Sequence, residues 1–339
     1  MVLVIQEQVS LKISNFNSFC SIICCPQMED NRRGNNSLIT YVVLLGFGNL
    51  KEVGTALFAF FLSLYVVTVC GNLLLILAVQ TSPRLHTPMY FFLCHLSCVD
   101  VGYTSSIAPP LLREVLAGGV TISFTACVVQ LYAVGALLTV ECFLLAIMSY
   151  DRYLAICWPL RYSVRMDSRT CVKLAVGSWI GGFLFVGAVL VLLATLTFCG
   201  PHVIDDFFCD FFPLVKLSCT DTVMVEKVAF ASSFLSLSPF LWTLLSYGFI
   251  LSSILRISTS KGRHRAFSTC SSHLIVVSVF YGTMVVVYMT PASGTTLNLN
   301  KIFSLLYTVL TPLLNPLVYS LRNKDVQMAL KKGAKPACS

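Results

Sequence analysis

Seven long apolar stretches, each bounded by charge, constrain this chain more than any other feature. They run from Val53 to Gln80, Pro88 to Leu112, Ile122 to Tyr150, Leu174 to Thr197, Val228 to Leu255, Ala266 to Thr290 and Ile302 to Leu321. About 20 apolar residues carry a helix across roughly 30 Å of hydrocarbon, so each stretch is long enough to span a bilayer. Strands of a membrane barrel would instead alternate apolar and polar residues over about ten positions. A backbone inside lipid must also satisfy its own hydrogen bonds, which leaves helices. Composition agrees, because charged residues are 11% and hydrophobic ones 56% of the 339, where soluble domains carry about 25% charge. The expected fold is an all-α membrane protein, a seven-transmembrane helix bundle.

Lys and Arg sort by side, and cytoplasmic loops carry the excess. Arg84, Arg161, Arg165, Arg169, Lys173, Arg256, Lys261, Arg263, Arg265, Arg322, Lys324, Lys331, Lys332 and Lys335 follow spans one, three, five and seven. The loop between spans four and five instead holds Asp205, Asp206, Asp210, Asp221 and Glu226 against Lys216 and Lys227. The N-terminus is therefore expected outside and the C-terminus in the cytoplasm. The net charge of +8 is then mainly a topology signal rather than a nucleic-acid footprint, and its clusters suit anionic lipid or an acidic protein surface. Residues 1–52 form an extracellular tail, 53–321 the helical domain, and 322–339 a cytoplasmic tail with a short amphipathic helix. Asn35-Asn36-Ser37 is a glycosylation acceptor in the outer tail. Of 15 cysteines, Cys127 and the evenly spaced Cys199, Cys209 and Cys219 lie outside, an oxidising location that favours pairing. Four cysteines allow three connectivities.

Motifs narrow the class. Span three ends in Met148-Ser149-Tyr150-Asp151-Arg152-Tyr153-Leu154-Ala155-Ile156-Cys157, span seven in Asn315-Pro316-Leu317-Val318-Tyr319, and span one holds Gly71-Asn72. With these the chain resembles the rhodopsin-like G-protein-coupled receptors. Leu85-His86-Thr87-Pro88-Met89-Tyr90-Phe91-Phe92-Leu93, Ser246-Tyr247, Arg265-Ala266-Phe267-Ser268-Thr269-Cys270-Ser271-Ser272-His273-Leu274, Phe280-Tyr281-Gly282-Thr283 and Pro312-Leu313-Leu314-Asn315-Pro316 sharpen the resemblance to their odorant-receptor branch. It covers about Leu38 to Met328. Met28-Glu29-Asp30-Asn31 looks like that family's usual start, so residues 1–27 are read as an upstream extension or an unusual splice and expected to be disordered. Trp158 departs from the histidine or asparagine common there.

The resemblance implies a receptor of the plasma membrane that binds a small volatile odorant. It implies a heterotrimeric stimulatory G protein of the olfactory type as partner, and cyclic AMP as output. It implies that Asp151 holds Arg152 until span six moves outward, with Tyr153 beside them, Tyr247 and Tyr319 swinging inward, and Asn315 and Pro316 serving the change. Cys127 pairs with Cys209 and Cys199 with Cys219 on the same ground. The only acids inside the apolar spans are Asp100 and Glu141; buried acids there are functional candidates, although protonated structural acids fit equally well. The resemblance places them, with Asn72 and Asn315, on a polar cavity where many such receptors hold a sodium ion, and such oxygens suit a hard cation. No other cofactor is expected.

Candidate pocket residues are Val134, Gly135, Leu138, Thr139, Ala231, Ser232, Leu235, Tyr281, Met284, Val285, Tyr288, Leu305 and Thr308. This largely apolar set suits small, neutral, mostly hydrophobic ligands. Val134 stands where amine receptors carry a carboxylate, and no lysine lies between Ile302 and Leu321 to bind retinal. No nucleophile elbow, phosphate loop or water-accessible carboxylate pair marks an enzyme. A secondary transporter is the rival class, but its internal repeats are not visible.

Overall fold

A computed structural model describes residues 39–46, 48, 53–199, 202–256, 258–289, 304–305, 308–318 and 326–329. The apolar stretches form helices α1 (Gly54–Thr81), α2 (Pro88–Ala117), α3 (Phe124–Cys157), α4 (Ser168–Leu193), α5 (Val223–Leu255) and α6 (Ser260–Met289). A shorter described helix, α7 (Thr308–Val318), follows. Among the described residues α1, α3, α4 and α5 are long and apolar enough to cross a membrane, and α6 carries an apolar stretch over Cys270–Val285.

Several ends differ from the expected spans for local reasons. Pro88 opens α2 after extended Thr87, and the helix runs beyond Leu112 to Gly118, whose φ of 74° suits the left-handed terminus. Asp167 caps α4, accepting the Thr170 N–H at 3.1 Å, so α4 starts ahead of Leu174 and stops at Leu193. α6 likewise begins at Ser260, before the apolar run at Ala266; hydropathy marks the hydrocarbon zone, not the helix end.

α3 is the axis of the bundle. It packs on α2, α4, α5 and α6, and 67% of its apolar stretch is buried against 17% for α4. Gly182 permits close approach of α4, since a Cβ there would lie 2.5 Å from Val140 and 3.0 Å from the Ala136 carbonyl. The outward face of α4 presents Val172, Val176, Ile180 and Leu184, a stripe at helical spacing that suits lipid.

Beside the helices lies one small three-stranded sheet that the apolar stretches do not announce. Tyr41–Leu44 form strand β1, which pairs antiparallel with β2 (Val120–Ser123) and parallel with β3 (Val203–Ile204). Ile122, expected to begin span three, therefore lies in β2 opposite Val42. Alternation explains it: Val42 and Leu44 point inward and are fully buried while Tyr41 is exposed. The buried side joins Cys127, Leu131, Leu193, Phe198 and Cys209 in a second core, separate from the main one in the bundle. Val326 is buried against the main core; residues 319–325 and 330–339, and residues 1–38 with Asn35, fall outside the described residues.

Candidate functional site

A cavity of about 290 Å³ opens between α3, α4, α5, α6 and the loop before α5. Leu131, Gly135, Leu138, Thr139 and Cys142 line it from α3, a single helical face by their three- and four-residue spacing. Phe185, Val186, Val189 and Leu190 close it from α4, and Met284 and Val285 from α6. Of the sequence candidates, Gly135, Leu138, Thr139, Ser232, Met284 and Val285 meet here.

Other candidates are placed elsewhere. Val134 is one step round α3 from the cavity and is buried in the main core. Ala231 is exposed on α5. Tyr281 is buried below the cavity, its ring 4.5 Å from Phe240 and its phenol donating to the Cys142 carbonyl at 3.4 Å. Leu305 packs against the main core, and Thr308 donates to the Ser304 carbonyl at 2.6 Å and lines a small cleft between α1, α2 and α7. Helical periodicity names a face of a helix but not which neighbour it meets. The side chains of Leu235 and Tyr288 lie outside the described residues.

The cavity's loop wall is fixed by covalent and polar ties. Cys127 is bonded to Cys209, with Cα atoms 5.4 Å apart, and Cys199 to Cys219, at 5.8 Å. Gln130, which sequence reading passed over, accepts the Cys209 N–H at 3.0 Å and donates to the Ser106 carbonyl at 2.9 Å. The next residue, Asp210, lines the cavity. In the sequence it reads only as a loop charge, yet it brings a carboxylate to the cavity where Val134 supplies none. Burial raises its carboxyl above the ordinary range, and the Phe211 N–H, donating at 2.8 Å, pulls it back.

At the far end of α3, Asp151 is fully buried and binds Arg152, whose Nε donates at 2.9 Å. Tyr162, from the short helix Pro159–Arg165, donates to the other carboxylate oxygen at 2.8 Å. Burial, then Asp151 beside it, holds the Tyr162 phenol well above its usual range, so it serves as donor. Trp158 donates to the Tyr153 hydroxyl at 2.9 Å. Tyr247 on α5 lies 2.6 Å from His273 Nδ1 on α6, and Tyr247 packs against the small cluster around Ile250 and Cys270. Tyr319 is outside the described residues.

Between the two ends, Asn315 donates to both oxygens of Asp100, at 3.1 and 2.9 Å. Glu141 neighbours both residues, and among the described residues its Oε1 and the Asn315 Oδ1 have no hydrogen-bond partner. Asn72 donates to the Pro312 carbonyl at 3.1 Å and so ties α1 to α7. Pro316 is buried against Gly71, 3.3 Å from where a Cβ would stand.

The family model described as olfactory receptor matches residues 61–334. The chain belongs to the olfactory receptor family. It is 46% identical to Olfactory receptor 5P68 of Mus musculus over 300 residues, 88% of this chain and 96% of that one. Olfactory receptor 11A1 of Homo sapiens is 47% identical over 298 residues, covering 88% and 94%. Olfactory receptor 5P60 of Mus musculus is 45% identical over 300 residues, with the same coverage. The olfactory receptor is thus a multi-pass membrane protein of the seven-helix class, with an odorant as ligand and a G protein as partner, and it is a receptor rather than an enzyme.

Proposed function

We propose that this receptor binds small, mostly apolar odorants, neutral ones foremost, in the cavity between α3 and α6. Binding activates a stimulatory G protein of the olfactory type and raises cyclic AMP. The observation that carries this reading is α3 itself: one face lines an apolar cavity of about 290 Å³ and the same helix ends in the Asp151–Arg152–Tyr162 cluster. A ligand that shifts α3 against α5 and α6 therefore acts on Arg152. In this reading the disulfide end faces outside and the basic end the cytoplasm, at the plasma membrane, with residues 1–52 as outer tail, 53–321 as bundle and 322–339 as inner tail. Asn35 then carries a glycan.

Arg152 meets the G protein when released, Tyr153, Tyr247 and Tyr319 support the active arrangement, and Asn315 and Pro316 supply the deformable part of α7. Asp100, Glu141 and Asn315 offer clustered buried oxygens, two of them unpartnered, and this donor set fits a sodium ion. These residues hold it in the resting receptor. The test is agonist-stimulated nucleotide exchange in membranes. Arg152→Ala is expected to abolish exchange while surface level and ligand binding hold. Exchange at the wild-type level would reject the role, and ligand uptake without exchange would favour a transporter.

A further inference from the structure

The cavity wall has an uneven polar chemistry. Thr139 spends its hydroxyl proton on the Gly135 carbonyl at 2.8 Å, and Ser232 spends its own on the Ala229 carbonyl at 2.7 Å. Both hydroxyls keep lone pairs toward any ligand and have no proton left to give. The Phe211 N–H is spent on Asp210 Oδ1, which leaves Oδ2 free. Asp210 meets no cation among the described residues. Among the described side chains of the wall, Thr139, Ser232 and Asp210 present acceptor lone pairs, and the weak Cys142 thiol is the one side-chain donor left over.

We infer that Asp210 is the specificity-determining group of this cavity, selecting ligands with an apolar body and a hydrogen-bond-donating head, a hydroxyl or a protonated amine. A donor head satisfies a carboxylate that would otherwise be desolvated unpaired when the cavity fills. A ketone or ester head would meet only lone pairs on the side chains of Asp210, Thr139 and Ser232. The position of Asp210 is set before any ligand arrives, because the neighbouring Cys209 is bonded to α3 through Cys127 and held by Gln130. Preorganisation of this kind favours affinity by reducing what must be ordered on binding. Burial with no cation beside it raises the Asp210 carboxyl, and a donor head, above all a cationic one, would draw it back down.

The assignment rests on the cavity being the ligand site, so its test reads binding rather than signalling. Purified receptor in lipid nanodiscs is titrated with octane, 2-octanone, 1-octanol and octylamine, with thermal stabilisation as readout. In the wild type, octanol and octylamine are expected to bind about ten- to a hundredfold more tightly than octanone, the range of a charge-assisted hydrogen bond. Asp210→Asn keeps the cap on Phe211 through its oxygen but turns an NH₂ toward the ligand, so the order between octanol and octanone should level or invert. Asp210→Ser also caps and should level it, which covers the case of an asparagine variant that does not fold. An amine advantage over the alcohol reads an ion pair and parity reads a hydrogen bond; either supports the assignment. Equal binding of octanol and octanone in the wild type, or an unchanged preference in both variants, overturns it and leaves the cavity as ligand site. Failure of all four probes to bind overturns both.

Discussion

The two ends of the bundle are held by different kinds of bond. At the disulfide end, two covalent bridges, a three-stranded sheet and a second apolar core surround the cavity mouth. At the Arg152 end the buried apolar cluster is Ile250, Ile254 and Cys270, and the ties are polar: Asp151 with Arg152 and Tyr162, Tyr247 with His273, and Cys157 with Ser253 at 3.1 Å. Polar ties can be exchanged for others at little net cost, whereas disulfides and sheet registers cannot. A frame fixed at one end and exchangeable at the other is what a ligand needs if a small shift in the cavity is to appear as a rearrangement at the far end.

The strongest way to break that contrast is to remove the covalent anchor. Cys127→Ser should lower stability by about 2–5 kcal/mol and abolish surface expression, measured by surface labelling of cells. Arg152→Ala comes next, with ligand binding kept and stimulated nucleotide exchange lost. Cys199→Ser should be milder than Cys127→Ser. The bridged residues are 20 apart rather than 82, and loop-closure entropy then favours the longer bridge by about 1 kcal/mol. Thermal midpoints of the two variants in detergent check the order. Tyr162→Phe removes one hydrogen bond from Asp151 and should raise ligand-free exchange about two- to tenfold, read in membranes at equal receptor level.

What was legible in the sequence divides along the same line. Seven apolar stretches suffice to find helices, because lipid leaves few other ways to satisfy the backbone. On α3, the candidates Gly135, Leu138 and Thr139 line the cavity, while Val134 beside them is buried in the main core. The outer sheet was not legible, since β1 is only four residues, Tyr41–Leu44, and finds its partners near positions 120 and 203. Nothing local in a tail announces such a pairing. Asp210 and Gln130 were missed for a related reason: one reads as a loop charge and the other as a polar residue near a helix end, and only the Cys127–Cys209 bridge brings them together. Thr308 and Tyr281 show the converse error, polar groups on an inward face whose hydrogen bonds are taken by their own helix or by α3.

The most direct test of the fixed and exchangeable ends is a pair of distances in one protein. Spin labels at the exposed positions Arg169 and Lys261 report on the Arg152 end, and labels at Thr121 and Val203 on the disulfide end. Pulsed dipolar spectroscopy in nanodiscs, with and without an activating ligand, reads both. The expected result is a widening of the Arg169–Lys261 distance with Thr121–Val203 unchanged. An equal change at both ends, or a change confined to Thr121–Val203, would contradict it.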